Sequence, residues 1–174
     1  MATTVNGAFT EFMNNSVNLD MTQTQTARKS RDNLLSNIKS FSGDDDFFSI
    51  NGSQCLNFGS FARRTKLRPL DDIDMMICIA ASDDRKYSYV GDGIYSMGAN
   101  QTDKNNGLNT NETNDLNSTK VINRFISKLS DLNDYRKAEM HKNHEAATLK
   151  LKSYDWNFDI VPCFYCKGDF YLIP

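Results

Sequence analysis

The sequence lacks the features of a membrane-anchored, exported or broadly nucleic-acid-binding protein. No apolar run approaches the roughly 20 residues that span a bilayer, and residues 1–15 lack the basic start and apolar middle of a signal peptide. The formal net charge of -2 provides no overall attraction to nucleic acid or to an anionic membrane. We therefore expect a cytoplasmic protein without a membrane partner, in which any contact with nucleic acid is local.

The length and composition are those of an ordinary globular domain. At 174 residues, with 39% hydrophobic and 24% charged residues, the chain can bury a core within one domain, which we assign to residues 1–174. No internal repeat is visible. The cysteines are expected to be reduced in the cytoplasm. They are Cys55, Cys78, Cys163 and Cys166.

Three stretches predict helices. Residues 23–41 predict one helix and residues 7–15 a shorter one, so that residues 5–42 form an N-terminal helical region. Residues 121–132 predict a second amphipathic helix, with Ser118-Thr119 as its expected N-cap. The acidic stretch SGDDD, residues 42–46, is interpreted as a solvated turn.

Four stretches have strand character. Residues 47–58 predict a strand kinked at its glycine, and residues 73–80 are apolar on both faces, as a strand covered on both sides requires. Residues 147–152 alternate cleanly, with Thr148, Lys150 and Lys152 expected to face away from the core. A second strand at 156–164 follows closely enough to form a hairpin with it.

Residues 82–118 differ from the rest of the chain. They are rich in Asn, Asp, Gly, Ser and Thr, with a small tyrosine cluster near their start. A structureless stretch of this length is unusual inside a compact domain. We expect a long loop or partly disordered insertion, which is either a mobile functional loop or a dispensable excursion.

The strongest chemical signal is the pair Asp72 and Asp74 at the start of the apolar strand. Residues two apart on a strand share a face, so these carboxylates lie side by side. Their mutual repulsion at the edge of an apolar core is costly unless a cation lies between them. Oxygen ligands suit Mg²⁺ or Mn²⁺, and Mg²⁺ commonly completes its shell with water and substrate phosphates.

Two further features fit a phosphate-bearing substrate. Gly59-Ser60 follows a strand and precedes a helical turn, where a glycine lets a phosphate approach and a serine hydroxyl adds a donor. Asp159 lies in the apolar stretch NFDIVPCF and needs a partner for its charge. If its strand lies beside that of Asp72 and Asp74, three carboxylates converge, enough to hold two ions that bridge a triphosphate and an attacking hydroxyl.

Gly-Ser, then Asp-hydrophobic-Asp on the next strand, then a distant third Asp, resembles the signature of the polymerase-β-like nucleotidyltransferases. The segments GSFARRTKLRPLDDIDMMI, FDIVPCF and GDFYLIP are most similar to the bacterial cGAS/DncV-like nucleotidyltransferases (CD-NTases). Those enzymes make cyclic di- or oligonucleotide second messengers in anti-phage signalling. The resemblance implies an α+β fold, with a mixed, twisted sheet and helices packed on one side.

The resemblance also implies roles for individual residues. Gly59 and Ser60 would hold the triphosphate of ATP or another NTP, while Asp72, Asp74 and Asp159 would bind two Mg²⁺ ions, with Mn²⁺ as a substitute. A ribose hydroxyl would displace pyrophosphate from the α-phosphorus of the NTP, so that the nucleotide becomes joined to that hydroxyl and pyrophosphate leaves. The remaining candidates for nucleotide contacts also fit an ordinary exposed basic face. They are Arg63, Arg64, Thr65 and Lys66.

Alternatives remain open for the function. The chain could transfer a nucleotide to tRNA or another acceptor, as CCA-adding enzymes do, or it could be a non-catalytic nucleotide-binding partner. Family members continue past the third aspartate into a helical lobe that closes over the base, so we expect this lobe to be missing from a chain ending at Pro174. A purely structural role for the three aspartates, as turn, cap and salt-bridge residues, is the remaining alternative.

Two other groups of metal-ligating residue types are interpreted as structural. His141 and His144 are expected to be solvated surface residues, because no further ligand lies near them in the sequence. Cys163 and Cys166 have the spacing of half a zinc site. We interpret them, with Cys55 and Cys78, as small buried hydrophobic residues.

Overall fold

The protein is described here by a computed structural model that covers residues 4–81 and 85–173. Its helices and strands follow one another in the order α1 Val5–Phe12, a π-helical turn Met13–Val17, α2 Met21–Ser40, β1 Leu56–Phe58, α3 Gly59–Ala62, β2 Asp72–Ile79, β3 Tyr87–Gly91, β4 Ile94–Met97, α4 Gln101–Asn105, α5 Ser118–Asp131, β5 Glu139–Asn143, β6 Ala146–Lys150, β7 Asn157–Cys166 and β8 Phe170–Leu172. None of the helices in the described ranges is long and apolar enough to cross a bilayer.

A six-stranded mixed sheet organises the fold. Its strand order is β1-β2-β7-β6-β5, with β8 paired to β7 as well. The central pair, β2 and β7, is parallel, whereas the other pairs are antiparallel. Strands β3 and β4 form a separate hairpin. The expected α+β fold with a mixed sheet is confirmed.

One face of the sheet is covered by helices α2 and α5. Their apolar stripes pack on alternate residues of the central strands, such as Ile77 of β2 and Phe158 of β7, both of which are fully buried. This helix-covered face holds the large core. The buried helical residues are Ala27, Leu34 and Ile38 of α2 and Val121, Ile122, Phe125 and Leu129 of α5.

The opposite face of the same strands carries a smaller cluster. Met76, Cys78, Ala146, Val161 and Cys163 are buried there. The two cysteines lie directly opposite each other on β2 and β7 and are free thiols in this cluster, as small hydrophobic residues would be. Cys166 is also buried and Cys55 half-buried, so the interpretation as packing residues is confirmed.

The helices begin and end close to the expected positions, with one difference at α5. Its N-cap is Asn117, whose side chain accepts a hydrogen bond from the backbone N–H of Lys120. The expected cap, Ser118-Thr119, instead forms the first helical turn. Asparagine one residue earlier meets the same requirement, since its short side-chain oxygen reaches the free N–H groups of the first turn.

The expected strand over residues 47–58 is largely wrong. Only Leu56–Phe58 forms a strand, and Ile50 makes an isolated bridge to Ile79. Phe47 and Phe48 are buried because their rings pack against Phe125 of α5. Their apolar character therefore reflects contacts with a helix, which a strand pattern does not distinguish.

The segment 82–118 is not the structureless loop that its composition suggests. Its described part contains the β3–β4 hairpin and helix α4, which begins with a capping box between Asn100 and Asp103. Asp103 is 3% exposed and forms an ion pair of 2.7 Å with Arg85, whose guanidinium lies over the ring of Phe164. The segment is thus attached to β7 by a buried polar contact. Residues 82–84 of this prediction lie outside the described residues.

The acidic turn 42–46 is exposed but is not simply solvated. Lys128 of α5 pairs with Asp44 at 3.0 Å and with Asp46 at 2.5 Å. The Lys128 hydrogen bond lowers the pKa of Asp46. The turn therefore contacts α5 through its carboxylates.

Strand β5 lies in a stretch for which the sequence predicted neither a helix nor a strand. It pairs with β6 at the edge of the sheet, and most of its side chains are exposed. His141 lies on this strand and His144 in the turn after it, at a positive φ of 52°. Both side chains are exposed. The solvated interpretation of these histidines is confirmed.

Candidate active site

The parallel pairing of β2 with β7 brings the three predicted aspartates to one face of the sheet. Asp74 lies directly opposite Asp159, and Asp72 lies opposite Asn157. These side chains share the face of the small cluster and are half-buried, while the residues between them point into the large core. The condition on which the sequence prediction depended, neighbouring strands, is met. The catalytic role of the aspartates stays a prediction.

Gly59 lies against Asp74 on the other side. Strand β1 pairs with β2 so that Phe58 lies opposite Asp74, and the chain then turns sharply at Gly59 with a φ of +72°. A Cβ at position 59 would overlap the Asp74 Oδ2 atom and lie 2.5 Å from its Cγ. Glycine is required here both for the backbone conformation and for the close approach to the carboxylate.

The loop between α3 and β2 is closed by Ser60. Its carbonyl oxygen accepts hydrogen bonds from the backbone N–H groups of Thr65 at 3.0 Å and Lys66 at 3.2 Å. The Thr65 hydroxyl donates a hydrogen bond of 3.4 Å to the same carbonyl, so this side chain supports the loop. Arg63 and Arg64 are exposed. Their proposed contacts with a nucleotide stay predictions.

Lys66 is the basic residue that lies at the carboxylates. Its Nζ pairs with Oδ1 of Asp71 and Oδ1 of Asp72. Burial acts to lower the pKa of Lys66, but its hydrogen bonds with these two aspartates outweigh that effect and raise it. This ammonium therefore offsets part of the negative charge of Asp71 and Asp72.

Within residues 4–81 and 85–173, no cationic side chain forms an ion pair with Asp74. Burial, followed by the negative charges of Asp72 and Asp159, raises the pKa of Asp74 to about 6 from its ordinary 3.8. Lys66 and Arg63 act in the opposite direction but do not cancel the shift. A third charge at this position is therefore costly near neutral pH unless a cation is shared among the carboxylates.

The donor set fits a hard divalent cation. The available atoms are oxygens, and the Asn157 side-chain oxygen is buried on this face without a hydrogen-bond partner. Across residues 4–81 and 85–173, no three acidic, histidine or cysteine side chains are already arranged as a closed metal cluster. Lys66 pairs with Oδ1 of Asp72, and Thr148 donates a hydrogen bond to Oδ1 of Asp159.

Three residues of this site were missed by sequence reasoning. Thr148 was placed among the outward-facing side chains of its strand, whereas it is 5% exposed and bonds to Asp159. Lys66 was named only as one of several candidates for nucleotide contacts, and Asn157 was not singled out. A polar residue in an otherwise apolar strand was the available signal for Asn157. The position of Thr148 depends on the hairpin register, which the sequence left open.

No family model matches the chain. In sequence it is 42% identical over 181 aligned positions to a protein named probable cyclic nucleotide synthase IK1_05630 from Bacillus cereus (strain VD146). That alignment covers 100% of this chain and 54% of the relative.

Two solved structures share the fold. The structure titled E. coli MS115-1 CdnC + ATP superposes with a TM-score of 0.57 and 18% identity, covering 94% of this chain and 46% of that chain. The CdnC:HORMA-deltaN complex from the same source gives a TM-score of 0.58 and 18% identity, covering 95% of this chain and 45% of that chain.

The chain therefore spans about half the length of the relatives that it matches. Its fold and its sequence lead to the same group of proteins. The resemblance to the cGAS/DncV-like nucleotidyltransferases is confirmed: the chain is related in sequence to a probable cyclic nucleotide synthase and has the fold of CdnC.

Proposed function

We propose that the chain is the nucleotidyltransferase core of a cytoplasmic enzyme that joins nucleoside triphosphates into a cyclic di- or oligonucleotide. The observation that carries this proposal is the register of β2 and β7, which sets Asp74 opposite Asp159 with Gly59 against its other side. A relative named as a probable cyclic nucleotide synthase supports the choice of product class.

The residues of the site take distinct roles in this proposal. Asp72, Asp74 and Asp159 are the metal-binding carboxylates, with the Asn157 oxygen beside them. Two Mg²⁺ ions, or Mn²⁺ in their place, would supply charge neutralisation of the triphosphate and a lowered pKa of the attacking ribose hydroxyl. Gly59 and Ser60 would border the triphosphate, because the backbone at Gly59 lies directly against Asp74, one of the proposed metal-binding carboxylates.

Basic residues of the α3–β2 loop complete the triphosphate site. When a metal ion takes the place of Lys66 at Asp72, the Lys66 ammonium becomes available to the phosphates. Arg63 lies in the same loop. A hydroxyl oxygen attacks the α-phosphorus, the bond to the departing pyrophosphate breaks, and the hydroxyl proton passes to solvent. Catalysis of this kind depends on positioning and on charge stabilisation rather than on covalent chemistry by the protein.

The test is product analysis. The protein is incubated with each of the four NTPs, singly and in pairs, with Mg²⁺ or Mn²⁺, and the products are separated by chromatography and identified by mass spectrometry. Cyclic products that resist phosphatase support the proposal. The variant Asp159→Asn, which keeps the size of the side chain and removes its charge, is the matched control and should give none.

The same experiment separates the alternatives. Linear products, or label transferred to added tRNA, indicate transfer to an acceptor instead. Nucleotide that binds and stays unchanged indicates a non-catalytic partner. Either result contradicts cyclic product synthesis.

We also propose that the product serves as a second messenger in anti-phage defence, on the basis of the resemblance to CD-NTases alone. Phage plating on cells that carry the full-length gene, with and without Asp74→Ala, tests this role. Equal plaque counts in the two strains contradict it.

A further inference from the structure

Thr148 is a buried polar residue next to the proposed metal site. It lies on β6 directly opposite Asp159 of β7, and it is 5% exposed. Its Oγ1 donates a hydrogen bond of 2.6 Å to Asp159 Oδ1. On β6 its side chain shares the sheet face of Ala146, which belongs to the small apolar cluster. Thr148, the polar residue among the buried side chains on this face of β6, therefore points at the Asp159 carboxylate.

The contact restricts the orientation of the Asp159 carboxylate. Thr148 is β-branched, so few rotamers are available to it in a strand. A buried hydroxyl also needs a partner, because leaving it without one is costly. With Oδ1 held at 2.6 Å by a stiff donor, rotation of the Asp159 carboxylate is limited and Oδ2 remains for a cation.

We propose that Thr148 is a positioning residue for nucleotidyl transfer, which holds Asp159 in the orientation that binds metal beside Asp74. This inference rests on the proposed function, since it gives Asp159 a metal-binding role. Thr148 itself touches neither substrate nor metal. Partners that orient metal-binding side chains typically contribute 10–100-fold to metal affinity or activity, and an effect of about 10-fold is expected here.

A merely structural role for Thr148 gives a different pattern of mutational effects. Thr148→Val has nearly the same shape and fills the same space, but it removes the donor. Thr148→Ser keeps the donor and removes a methyl group from a buried position. If packing is what matters, serine is the damaging substitution; if the hydrogen bond is what matters, valine is.

The test measures Mn²⁺ binding by electron paramagnetic resonance, together with pyrophosphate release and thermal unfolding of the metal-free protein. Thr148→Val should weaken Mn²⁺ binding and slow turnover, each by about 10-fold, and should leave the unfolding temperature unchanged or raised. Thr148→Ser should retain binding and turnover within about 3-fold. Wild-type Mn²⁺ affinity in Thr148→Val, or equal losses in both variants, overturns the inference.

Asp159→Asn distinguishes failure of this inference from failure of the proposed function. If Asp159→Asn loses metal binding while Thr148→Val does not, Thr148 has no positioning role and the proposed function stands. If Asp159→Asn itself binds Mn²⁺ as the wild type does, the metal-binding role of Asp159 and the inference are both wrong. In the double variant, Thr148→Val should add no further loss to Asp159→Asn, because its effect passes through that carboxylate.

Discussion

The two faces of the central sheet are built from the same strands but carry different kinds of side chain. On the helix-covered face, alternate residues of β2 and β7 such as Ile77 and Phe158 are fully buried beneath α2 and α5. On the opposite face, Asp74 and Asp159 lie half-buried, and Asp74 carries a raised pKa. The two-residue period of a strand thus separates the large core from the proposed active site. Mutations on one face should therefore affect folding, and mutations on the other should affect reaction.

The largest effect is expected from Asp74→Ala. Loss of this carboxylate should lower Mg²⁺-dependent pyrophosphate release by on the order of 10³-fold, since metal-mediated charge stabilisation contributes several kcal/mol to such reactions. The fold should persist, because removing one of several repelling charges does not destabilise the metal-free protein. A coupled pyrophosphate assay and circular dichroism measure the two quantities. The control is Asp155→Ala, which removes an exposed carboxylate in the β6–β7 loop. Unchanged turnover in Asp74→Ala would contradict the catalytic role of Asp74.

The helix-covered face is tested by Phe158→Ala. Phe158 has no exposed surface, so its truncation leaves a cavity and should cost about 3–5 kcal/mol in the free energy of unfolding. Chemical denaturation measures this loss. Val161→Ala, on the opposite face of the same strand, removes fewer atoms and should cost less. Equal losses would contradict the assignment of the large core to the helix-covered face.

Gly59→Ala tests the close approach to Asp74. The added methyl group overlaps the Asp74 carboxylate. The alanine must also adopt the positive φ of this position, which by itself costs about 1–2 kcal/mol of stability. Gly93→Ala is a matched control, because Gly93 has a φ of +77° with nothing within 4 Å of the added Cβ. Both variants should lose stability in thermal unfolding, but Gly59→Ala alone should lose turnover. Similar turnover in the two would show that the contact with Asp74 is unimportant.

The smallest effect is expected in the pH dependence of the stability of the Asp74→Asn variant. The pKa of Asp74 in the folded protein, about 6, exceeds its ordinary 3.8, so the folded state holds this proton more tightly than the unfolded chain. The resulting stability is complete below about pH 4 and is lost as the pH rises through 6. Asn stays neutral, so the metal-free variant should be more stable than wild type at pH 7.5, by on the order of 1 kcal/mol for a partly exposed group.

Thermal unfolding at pH 4 and at pH 7.5, with a chelator present, measures this difference. The advantage of Asp74→Asn should disappear at pH 4, where the wild-type carboxyl is also protonated. An advantage of equal size at both pH values would mean that the substitution acts through packing instead of charge.

Much of the fold could be predicted because its signals are local. The stripes of α2 and α5 matched their buried faces, and the apolar strand at residues 73–80 is β2 with a one-residue difference at each end. Phe47 and Phe48 were misassigned because a short apolar run does not reveal whether its partner is a helix or a strand. The 82–118 segment was misjudged because composition places polar residues such as Arg85 and Asp103 on the surface, whereas these two form a buried ion pair and Leu108 of the same segment packs in the large core.

The site could be predicted in its components but not in its contacts. The sequence indicated Gly59-Ser60, the aspartate pair and the third aspartate, since each is unusual in its own surroundings. The contacts of Lys66 with Asp72 and of Thr148 with Asp159 were not visible. Each of these contacts joins residues on different elements. The length of the β6–β7 loop sets the contact of Thr148 with Asp159.

The sequence by itself determined which side chains share a face, because alternation along a strand is a local property of the backbone. It therefore placed Asp72 beside Asp74 and set both apart from the core residues between them. Only the tertiary structure decided that β7 lies parallel to β2 with Asp159 opposite Asp74, and that Thr148 lies opposite Asp159 on the next strand. Strand register is set by the packing of α2 and α5 across the whole sheet and by loop lengths, which no short stretch of sequence specifies.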